Sequence, residues 1–311
     1  MIDNQYSILK VVGKGGSSKV FKVKDENDKV FAIKVIRKDK NFGYDPSIIL
    51  QRETDLLQRL ERHPNIINSI SSNFEGMLTL EDQQESILYN VLEYASNGAL
   101  STFIRCTGGV EEELARPLSL QLCHAVEFIH NNGYGHLDIK LENILLDEFF
   151  NIKLADMGSS VNVINSGGYT DRRRGTQVYM APEVTNLKSG QDFNSFSADI
   201  YSLGITLFVL LVGVFPNQNE LDNISTDESE ILDEVLFSNP LLKNQWKQLP
   251  ANIRKLIIWM TDKDPAQRPT IQEVVNSEWL SSPMTKINMQ NVYEEMYYRK
   301  SYMETEFKVK L

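Results

Sequence analysis

Four side chains in one stretch of the sequence have the types and spacing that phosphoryl transfer requires. Asp138 is followed two residues later by Lys140 and five residues later by Asn143. A second aspartate, Asp156, precedes a glycine eighteen residues after the first. An aspartate can act as a base and a lysine can neutralise charge, while the asparagine and the second aspartate offer oxygen ligands to Mg²⁺. The combination indicates Mg²⁺-dependent phosphoryl transfer.

A glycine-rich turn near the start of the chain offers backbone N–H groups to a phosphate. It reads Gly13-Lys-Gly-Gly-Ser-Ser-Lys-Val20. Glycines let the backbone approach a phosphate closely because little side chain intervenes, although the same residues would also suit a flexible hairpin turn. Because the turn connects two predicted strands and does not open a helix, it is neither a dinucleotide-binding fingerprint nor a Walker loop.

A lysine and a glutamate distant from that turn predict a buried ion pair. Strand alternation puts Ala32 and Lys34 on one face of a predicted strand, where a lysine usually faces solvent. Glu53 falls on the apolar stripe of the helix predicted after Pro46, where an unpaired carboxylate would be costly. We therefore predict that Lys34 and Glu53 form a buried ion pair.

The elements that position these residues change character along the chain. Three β runs lie between Tyr6 and Val35, another ends at Leu92, and helical periodicity dominates from Glu111 onward. This order predicts an α+β protein with a small, mainly antiparallel β lobe carrying one key helix, and a larger, mainly α-helical lobe. The change near Glu93–Gly98 predicts a connector.

Three further motifs complete an ordered series: Gly175-Thr-Gln-Val-Tyr-Met-Ala-Pro-Glu183, Ser197-Ala-Asp-Ile-Tyr-Ser-Leu-Gly204 and Asp264-Pro-Ala-Gln-Arg-Pro269. With them, the sequence resembles the eukaryotic protein kinase family, serine/threonine type, from Tyr6 to about Leu280. In style it is closest to the calcium/calmodulin-dependent and AMP-activated branch. The resemblance implies the bilobal protein kinase fold, with the N-lobe at 1–92, a hinge connector at 93–99, the C-lobe at 100–280 and a C-terminal tail at 281–311.

The resemblance also implies a role for each chemical group. The implied catalytic residues are Lys34, Glu53, Asp138, Lys140 and Asn143, and the implied Mg²⁺ ligands are Asn143 and Asp156. Asp138 takes or orients the proton of the attacking hydroxyl, and Lys140 neutralises charge on the transferring phosphoryl group. Lys34, oriented by Glu53, holds the α- and β-phosphates of ATP.

An ATP site between the lobes follows from the same resemblance. The glycine-rich turn covers the phosphates, and the backbone of the connector reads the purine edge. The implied nucleotide-binding residues are Gly13, Lys14, Gly15, Gly16, Ser17, Ser18, Val20, Ala32, Lys34, Leu92, Glu93, Ala95, Asn143, Leu145 and Asp156. Among them Ala32 and the connector frame the adenine, with Leu92 at the entrance to the rear of the pocket.

Three positions depart from the family pattern. Ser18 stands at the third loop glycine, and Met157 replaces a phenylalanine of similar size. Leu137 stands before the catalytic aspartate, where the family commonly has an arginine that pairs with a phosphate on the activation segment. We therefore hypothesise that activity does not depend on phosphorylation of Ser166, Tyr169 or Thr170 of that segment in the usual way, and is either constitutive or gated elsewhere.

Other functions remain open at this stage. Lys140 and Thr176 resemble the serine/threonine branch, so the implied substrate is a protein Ser or Thr hydroxyl. The alternative is a pseudokinase acting as a scaffold or allosteric partner, which the retained catalytic residues disfavour. A small-molecule or lipid phosphotransferase is disfavoured by the complete Ala181-Pro-Glu183 segment. Arg172–Arg174 either bind a phosphate or belong to a solvated loop.

Composition limits the partners and the compartment. The chain of 311 residues carries 42 acidic and 32 basic residues, a net charge of −10, which argues against a nucleic-acid or membrane-surface partner. Its longest apolar run, Ile205–Phe215, is roughly half a bilayer span, so no membrane span is expected. Two cysteines and no recognisable secretory signal favour a cytoplasmic location, with the nucleus not excluded. The expected partners are ATP and a protein substrate, with room for a regulatory partner.

A tyrosine-rich segment follows the implied kinase domain. Val292, Met296 and Tyr297 have a helical spacing that would let this tail dock back on the domain. Simple disorder is the alternative interpretation.

Overall fold

The computed structural model describes residues 1–15, 18–37, 46–81, 83–216, 245–281 and 289–309 of the chain. Its first lobe contains an antiparallel sheet of five strands in the order β1-β2-β3-β5-β4. The strands are β1 (Ser7–Lys14), β2 (Ser18–Lys24), β3 (Val30–Arg37), β4 (Ser69–Leu80) and β5 (Gln83–Glu93). The sheet lobe is followed by a helical lobe, which confirms the predicted α+β, two-lobed fold.

Helix α1 (Pro46–Arg59) packs against strands β3, β4 and β5 of this sheet. It begins at the predicted proline, which is tolerated in the first helical turn because the missing N–H would have no intrahelical partner; Asp45 of the predicted start signal lies outside the described residues. Leu50, Glu53 and Leu56 are spaced by three residues, and each is at most 2% exposed. The glutamate therefore lies within the apolar face that α1 presents to the sheet.

The pairing of β3 with β5 determines which side chains of the sheet face α1. On β3 and β5, Ala32 pairs with Leu92 and Lys34 pairs with Asn90. Alternate side chains of a strand, and directly paired side chains of two strands, lie on the same face of a sheet. Because Lys34 contacts Glu53 of α1, the side chains of both pairs lie on the face that carries α1. Gly13 of β1 pairs with Val20 of β2, so the two ends of the glycine-rich turn lie opposite each other.

The second lobe is built from helices around one large apolar core. Its helices are α2 (Leu100–Thr107), α3 (Glu112–Asn131), α4 (Pro182–Thr185), α5 (Ser195–Val212), α6 (Ala251–Met260), α7 (Ile271–Val275), α8 (Glu278–Ser281) and α9 (Met289–Glu306). Within the described ranges, α5 is the helix long and apolar enough to cross a bilayer by length and composition. However, 83% of it is buried inside the protein, as expected of a core helix.

Helix α3 differs from one local expectation. Its predicted buried stripe is confirmed, with Leu118, Leu122, Ala125 and Ile129 each at most 3% exposed. Pro117 was expected to kink or restart the helix; it does not restart it, because α3 runs continuously from Glu112 to Asn131, and a kink stays a prediction. Pro117 is the sixth residue of α3 and lacks an N–H, so the bond to the carbonyl of Glu113 is missing while the helix continues beyond it.

Short two-stranded pairings hold the loops at the lobe junction. They are β6 (Tyr134–Gly135) with β9 (Val161–Asn162), β7 (Ile144–Leu146) with β8 (Ile152–Leu154), and β10 (Tyr169–Thr170) with β11 (Phe193–Asn194). The β7–β8 hairpin is the most important for the site, because Asn143 immediately precedes β7 and Asp156 follows β8 by two residues.

The tail forms helix α9, which contacts α2 and α3. Val292 and Met296 are buried, so of the two alternatives that the sequence left open, docking and disorder, the structure shows docking. Tyr297 was expected to join them but is 56% exposed, and Met303 is buried in its place. Residues four and seven positions apart share a helical face, whereas Tyr297 is rotated by about 100° from Met296.

Candidate active site

The predicted ion pair between Lys34 and Glu53 is present, and Asp156 joins it as a third charged group. Lys34 on β3 donates from Nζ to Glu53 Oε2 on α1 at 2.8 Å. It also donates to Asp156 Oδ1 at 2.7 Å. The lysine and the glutamate are almost fully buried, with side chains 10% and 1% exposed, whereas that of Asp156 is 46% exposed. One cation thus links the sheet, α1 and the segment after β8.

Burial and mutual attraction set the charges of this group. Burial alone would lower the pKa of Lys34, but Glu53 and Asp156 outweigh it and raise the pKa above its ordinary value. Burial raises the pKa of Glu53 in spite of the lysine. Burial also opposes ionisation of Asp156, yet Lys34 holds the pKa of that carboxyl below its ordinary value. At neutral pH Lys34 is therefore a cation and Asp156 an anion.

The loop that carries Asp138 is fixed from below by a buried carboxylate. Asp199, the fifth residue of α5, is 0% exposed and accepts hydrogen bonds from the backbone N–H groups of His136 and Leu137, both at 2.7 Å. His130 Nε2 lies 2.9 Å from the same carboxylate. These bonds hold Leu137 in the left-handed region, at φ 62°, which a leucine rarely adopts without such support.

The Asp138 side chain is held on both oxygens. Lys140 Nζ donates to Oδ2 at 2.7 Å, and the Thr176 hydroxyl donates to Oδ1 at 2.8 Å. Lys140 Nζ also donates to Thr176 Oγ1 at 2.6 Å. The activation segment, which carries Thr176, is thereby tied to the catalytic loop. The sequence marked Thr176 only as typical of a substrate class, and its contact with Asp138 was missed.

Asn143 and Asp156 form a set of oxygen ligands that fits Mg²⁺. The Ala155 N–H donates to the Asn143 carbonyl at 2.8 Å, so the backbone holds the two ligands side by side. Asn143 donates from Nδ2 to Asp138 O at 2.8 Å and Oδ2 at 3.1 Å, which uses the nitrogen and not the oxygen of its amide. Carboxylate and amide oxygens are the ligands that hard divalent cations prefer.

An apolar surface lies beside these polar groups at the junction of the lobes. Ile67, Leu92 and Ala155 form one buried cluster, against which Ala32 and Leu145 pack. Such walls suit the flat, largely apolar faces of a purine. The sequence had indicated Ala32, Leu92 and Leu145 for this role, whereas Ile67 and Ala155 were missed because they lie outside the recognised motifs.

The remaining predicted nucleotide-binding residues border this surface. Glu93 ends β5 and forms an ion pair with Lys153 of β8 at 3.1 Å, while Ala95 is buried in the connector. At the other end of the site, the Gly15 N–H donates to Ser18 O at 2.8 Å and closes the glycine-rich turn. Lys14 is exposed at the end of β1. Gly16 and Ser17 lie outside the described residues.

A second ion pair supports the lobe beneath the activation segment. Arg268 donates from both terminal nitrogens to Glu183, at 2.7 Å each, and its side chain is 0% exposed. It also donates to the Ser197 carbonyl at 3.0 Å. Because a buried arginine must satisfy all its donors, this pair fixes the segment after Thr176 to the start of α5.

A sheet lobe that contains the Lys34–Glu53 pair, joined through the Lys34–Asp156 contact to a helical lobe that carries the Asp138 loop, defines the protein kinase class of folds. The protein kinase domain family matches residues 6–280, and the chain belongs to this family.

Similar proteins place the chain within the family. It is 31% identical over 293 residues to NUAK family SNF1-like kinase 2 of Rattus norvegicus, covering 94% of this chain and 43% of the relative. It is 33% identical over 278 residues to CBL-interacting protein kinase 31 of Oryza sativa subsp. japonica, covering 88% and 57%. It is 33% identical over 282 residues to the probable serine/threonine-protein kinase MARK-A of Dictyostelium discoideum, covering 89% and 24%. The resemblance to the calcium/calmodulin-dependent and AMP-activated branch is confirmed, and the chain spans at most 57% of the length of these three relatives.

Proposed function

We propose that this chain is a serine/threonine protein kinase that transfers the γ-phosphate of Mg²⁺-ATP to Ser and Thr hydroxyls of protein substrates. The observation that carries the proposal is the contact of Lys34 with both Glu53 and Asp156, at 2.8 and 2.7 Å. This contact would join a phosphate-binding lysine to a metal-binding carboxylate, and it requires α1 to lie close against the sheet. It supports the proposal because phosphoryl transfer needs these groups side by side.

Asp138 and its neighbours would handle the substrate hydroxyl. The Asp138 carboxylate is oriented by Lys140 and Thr176 and would accept the hydroxyl proton as the phosphoryl group is transferred. The Lys140 ammonium lies beside it and would stabilise the negative charge on that group. Both residues act mainly by position, since the reaction needs little covalent chemistry from the protein.

The remaining residues would hold the nucleotide. Asn143 and Asp156 would provide ligands for Mg²⁺, which when bound neutralises charge on the phosphates. Lys34 would bind the α- and β-phosphates, and the turn from Gly13 to Val20 would cover them. The adenine would lie between Ala32 and Leu145, the two sides of the apolar surface.

Two observations favour a protein Ser or Thr as acceptor. Lys140 of the catalytic loop donates to Thr176 of the activation segment at 2.6 Å, the arrangement expected of the serine/threonine type. The relatives carry kinase names, and one is named a probable serine/threonine-protein kinase. The pseudokinase alternative has less support, because the six residues that the chemistry requires are retained and in contact in two groups.

We further propose that the activation segment is ordered without a phosphate. Leu137 is 6% exposed and offers no charge to a phosphate. Backbone contacts hold the segment instead. Strand β10 (Tyr169–Thr170) pairs with β11 (Phe193–Asn194), and the Ser195 N–H donates to Gly168 O at 2.8 Å. Backbone pairing thus anchors the segment to the start of α5, which is the effect that a phosphate-binding arginine would otherwise have.

The compartment and the other partners also belong to this proposal. Cys106 and Cys123 are both free thiols, and burial raises the pKa of Cys123 to about 12, so it is unreactive. We propose a reducing compartment, the cytoplasm or the nucleus. A regulatory partner and the absence of a nucleic-acid partner are likewise proposals, and the acidic net charge of −10 supports the second of them.

Phosphoamino-acid analysis tests the substrate class. Phosphatase-treated protein is incubated with Mg²⁺-ATP and a mixed protein substrate, with an Asp138→Asn variant as control. We expect phosphoserine and phosphothreonine that depend on Asp138. Phosphotyrosine as the main product would contradict the serine/threonine assignment.

A further inference from the structure

Helix α9 is joined to the helical lobe by an apolar stripe. Val292, Met296 and Met303 are each at most 1% exposed and belong to the same core cluster as α2 and α3. Their spacing of four and seven residues puts them on one face of the helix. The helix is therefore fixed at three points along its length, and its polar contacts are held in place.

A lysine on α9 reaches the connector between the lobes. Lys300 Nζ donates to Asn97 Oδ1 at 2.8 Å. Asn97 is 3% exposed, and its Nδ2 donates to Asp147 O at 2.6 Å while its backbone N–H donates to Leu146 O at 3.0 Å. Asn97 thus joins α9 to the residues that end β7. A buried amide that bonds on both sides is a rigid link, because moving it leaves polar groups unsatisfied.

A second contact from α9 reaches the turn of the same hairpin. The ring of Tyr293 packs against that of Phe150 with centroids 5.5 Å apart. Phe150 is 1% exposed, and its N–H donates to Asp147 O at 3.1 Å within the β7–β8 turn. The carbonyl of Asp147 therefore receives bonds from both the connector and the turn. Two side chains of α9 converge on the closed end of this hairpin.

The open end of the hairpin carries the residues assigned to Mg²⁺. Its three cross-strand pairs run from Leu146 with Ile152 at the closed end to Ile144 with Leu154 at the open end, a length of roughly 10 Å. Beyond them lie Asn143 and Asp156. Because a paired hairpin moves as a unit, a displacement at the closed end shifts these ligands and the adenine-facing Leu145.

We propose that α9 positions the nucleotide site, with Lys300 and Tyr293 as positioning residues that act through the connector and the β7–β8 hairpin. The inference rests on the proposed function, because it concerns the site where Mg²⁺-ATP would bind. Neither side chain reaches the site itself. They fix the closed end of the hairpin through Asn97 and Phe150.

Arg299 provides a matched control on the same helix. It donates from Nη1 to Thr107 Oγ1 at 2.8 Å and to Gly109 O at 3.4 Å, and its side chain is 12% exposed. These contacts lie at the end of α2, away from the connector and the hairpin. An Arg299→Met variant therefore weakens the docking of α9 without releasing Asn97, whereas Lys300→Met releases it.

The test measures amide exchange and nucleotide affinity in the full chain. Hydrogen–deuterium exchange is followed in the connector and hairpin without nucleotide, in wild type, Lys300→Met, Arg299→Met and Tyr293→Leu. The dissociation constant for Mg²⁺-ATP is measured by calorimetry on the same proteins. In Lys300→Met and Tyr293→Leu we expect faster exchange of the Leu146 and Ala155 amides and an affinity lower by roughly three- to tenfold. We expect Arg299→Met to keep the wild-type exchange rates of these amides and the wild-type dissociation constant for Mg²⁺-ATP.

Each alternative result has a distinct meaning. Equal losses in Arg299→Met and Lys300→Met would overturn the proposal, because α9 would then act only through general stability. Unchanged exchange and affinity in Lys300→Met and Tyr293→Leu would also overturn it. If wild type binds no Mg²⁺-ATP while hairpin exchange still depends on Lys300, the proposed function fails but the connection from α9 to the hairpin stands.

Discussion

The carbonyl oxygen of Leu137 lies directly against Gly175, where a Cβ added to the glycine would fall 2.1 Å from it. Gly175 has a φ of +104°, a backbone conformation that other residues rarely adopt. The activation segment therefore passes over the catalytic loop at a distance that only a glycine permits, one residue before Thr176 reaches Asp138.

Replacing Gly175 by alanine should separate these two segments. We expect Gly175→Ala to lower kcat/KM by at least roughly 100-fold, because a displacement of about 1 Å at a catalytic group has effects of this size. Gly167→Ala is the matched control, since Gly167 also has a positive φ, +62°, but a Cβ added there would meet nothing within 4 Å. Near-normal activity of Gly175→Ala would show that the close contact has no functional role.

The Thr176 hydroxyl should contribute to catalysis and not to nucleotide affinity. It bonds Asp138 at 2.8 Å and Lys140 at 2.6 Å, so Thr176→Val leaves both groups less well oriented. We expect kcat to fall by roughly 10- to 100-fold, with the affinity for Mg²⁺-ATP retained. Thr176→Ser keeps the hydroxyl and should restore most of the rate. Steady-state kinetics on the three proteins, with calorimetric binding of Mg²⁺-ATP, provide the comparison.

Removing the hydroxyls of the activation segment should have little effect. The variant combines Ser166→Ala, Tyr169→Phe and Thr170→Val, which retain the backbone pairing of β10 with β11. We expect its kcat/KM to stay close to that of wild type, because Leu137 cannot bind a phosphate on this segment. Abolished activity in a variant with a normal melting temperature would show that phosphorylation, or one of these hydroxyls, is required.

The pH dependence of stability should reveal a tyrosine in the sheet lobe. Burial, with a hydrogen bond to Asp3 at 2.7 Å, raises the pKa of Tyr89 from 10.0 to about 12. The unfolded chain therefore releases this proton at a lower pH than the folded chain, so stability falls as the pH rises from 10 towards 12. In Tyr89→Phe, urea unfolding should show a smaller decrease across this window. An identical decrease in both proteins would assign it to other groups.

The contact between Lys34 and Glu53 shows how far the sequence could lead. The helical stripe placed Glu53 on an apolar surface, and the cost of burying an unpaired carboxylate predicted Lys34 as its partner, although strand alternation alone left the lysine facing solvent. The catalytic loop was recognised for a similar reason, since its residues are close in sequence. Local periodicity and short sequence spacing are visible in the sequence itself, so contacts that depend on them could be predicted.

The contacts that the sequence did not predict join distant, short segments. β10 and β11 have two residues each and lie 22 residues apart, too short for any periodicity to be detected. The sequence left docking of α9 open beside disorder, and it grouped Tyr297 with Val292 and Met296 although Tyr297 is exposed. The bond from Lys300 to Asn97 spans 203 residues and depends on how the lobe packs.

The most direct test of the central claim compares wild type with Asp138→Asn for both binding and transfer. Asp138 contacts Lys140, Asn143 and Thr176, whereas Lys34 and Asp156 form the separate group that would hold the nucleotide. We expect both proteins to bind Mg²⁺-ATP with similar affinity, and transfer of the γ-phosphate to protein to fall by at least roughly 100-fold in the variant. Wild type that binds Mg²⁺-ATP but transfers no more phosphate than Asp138→Asn would contradict the account and favour a pseudokinase.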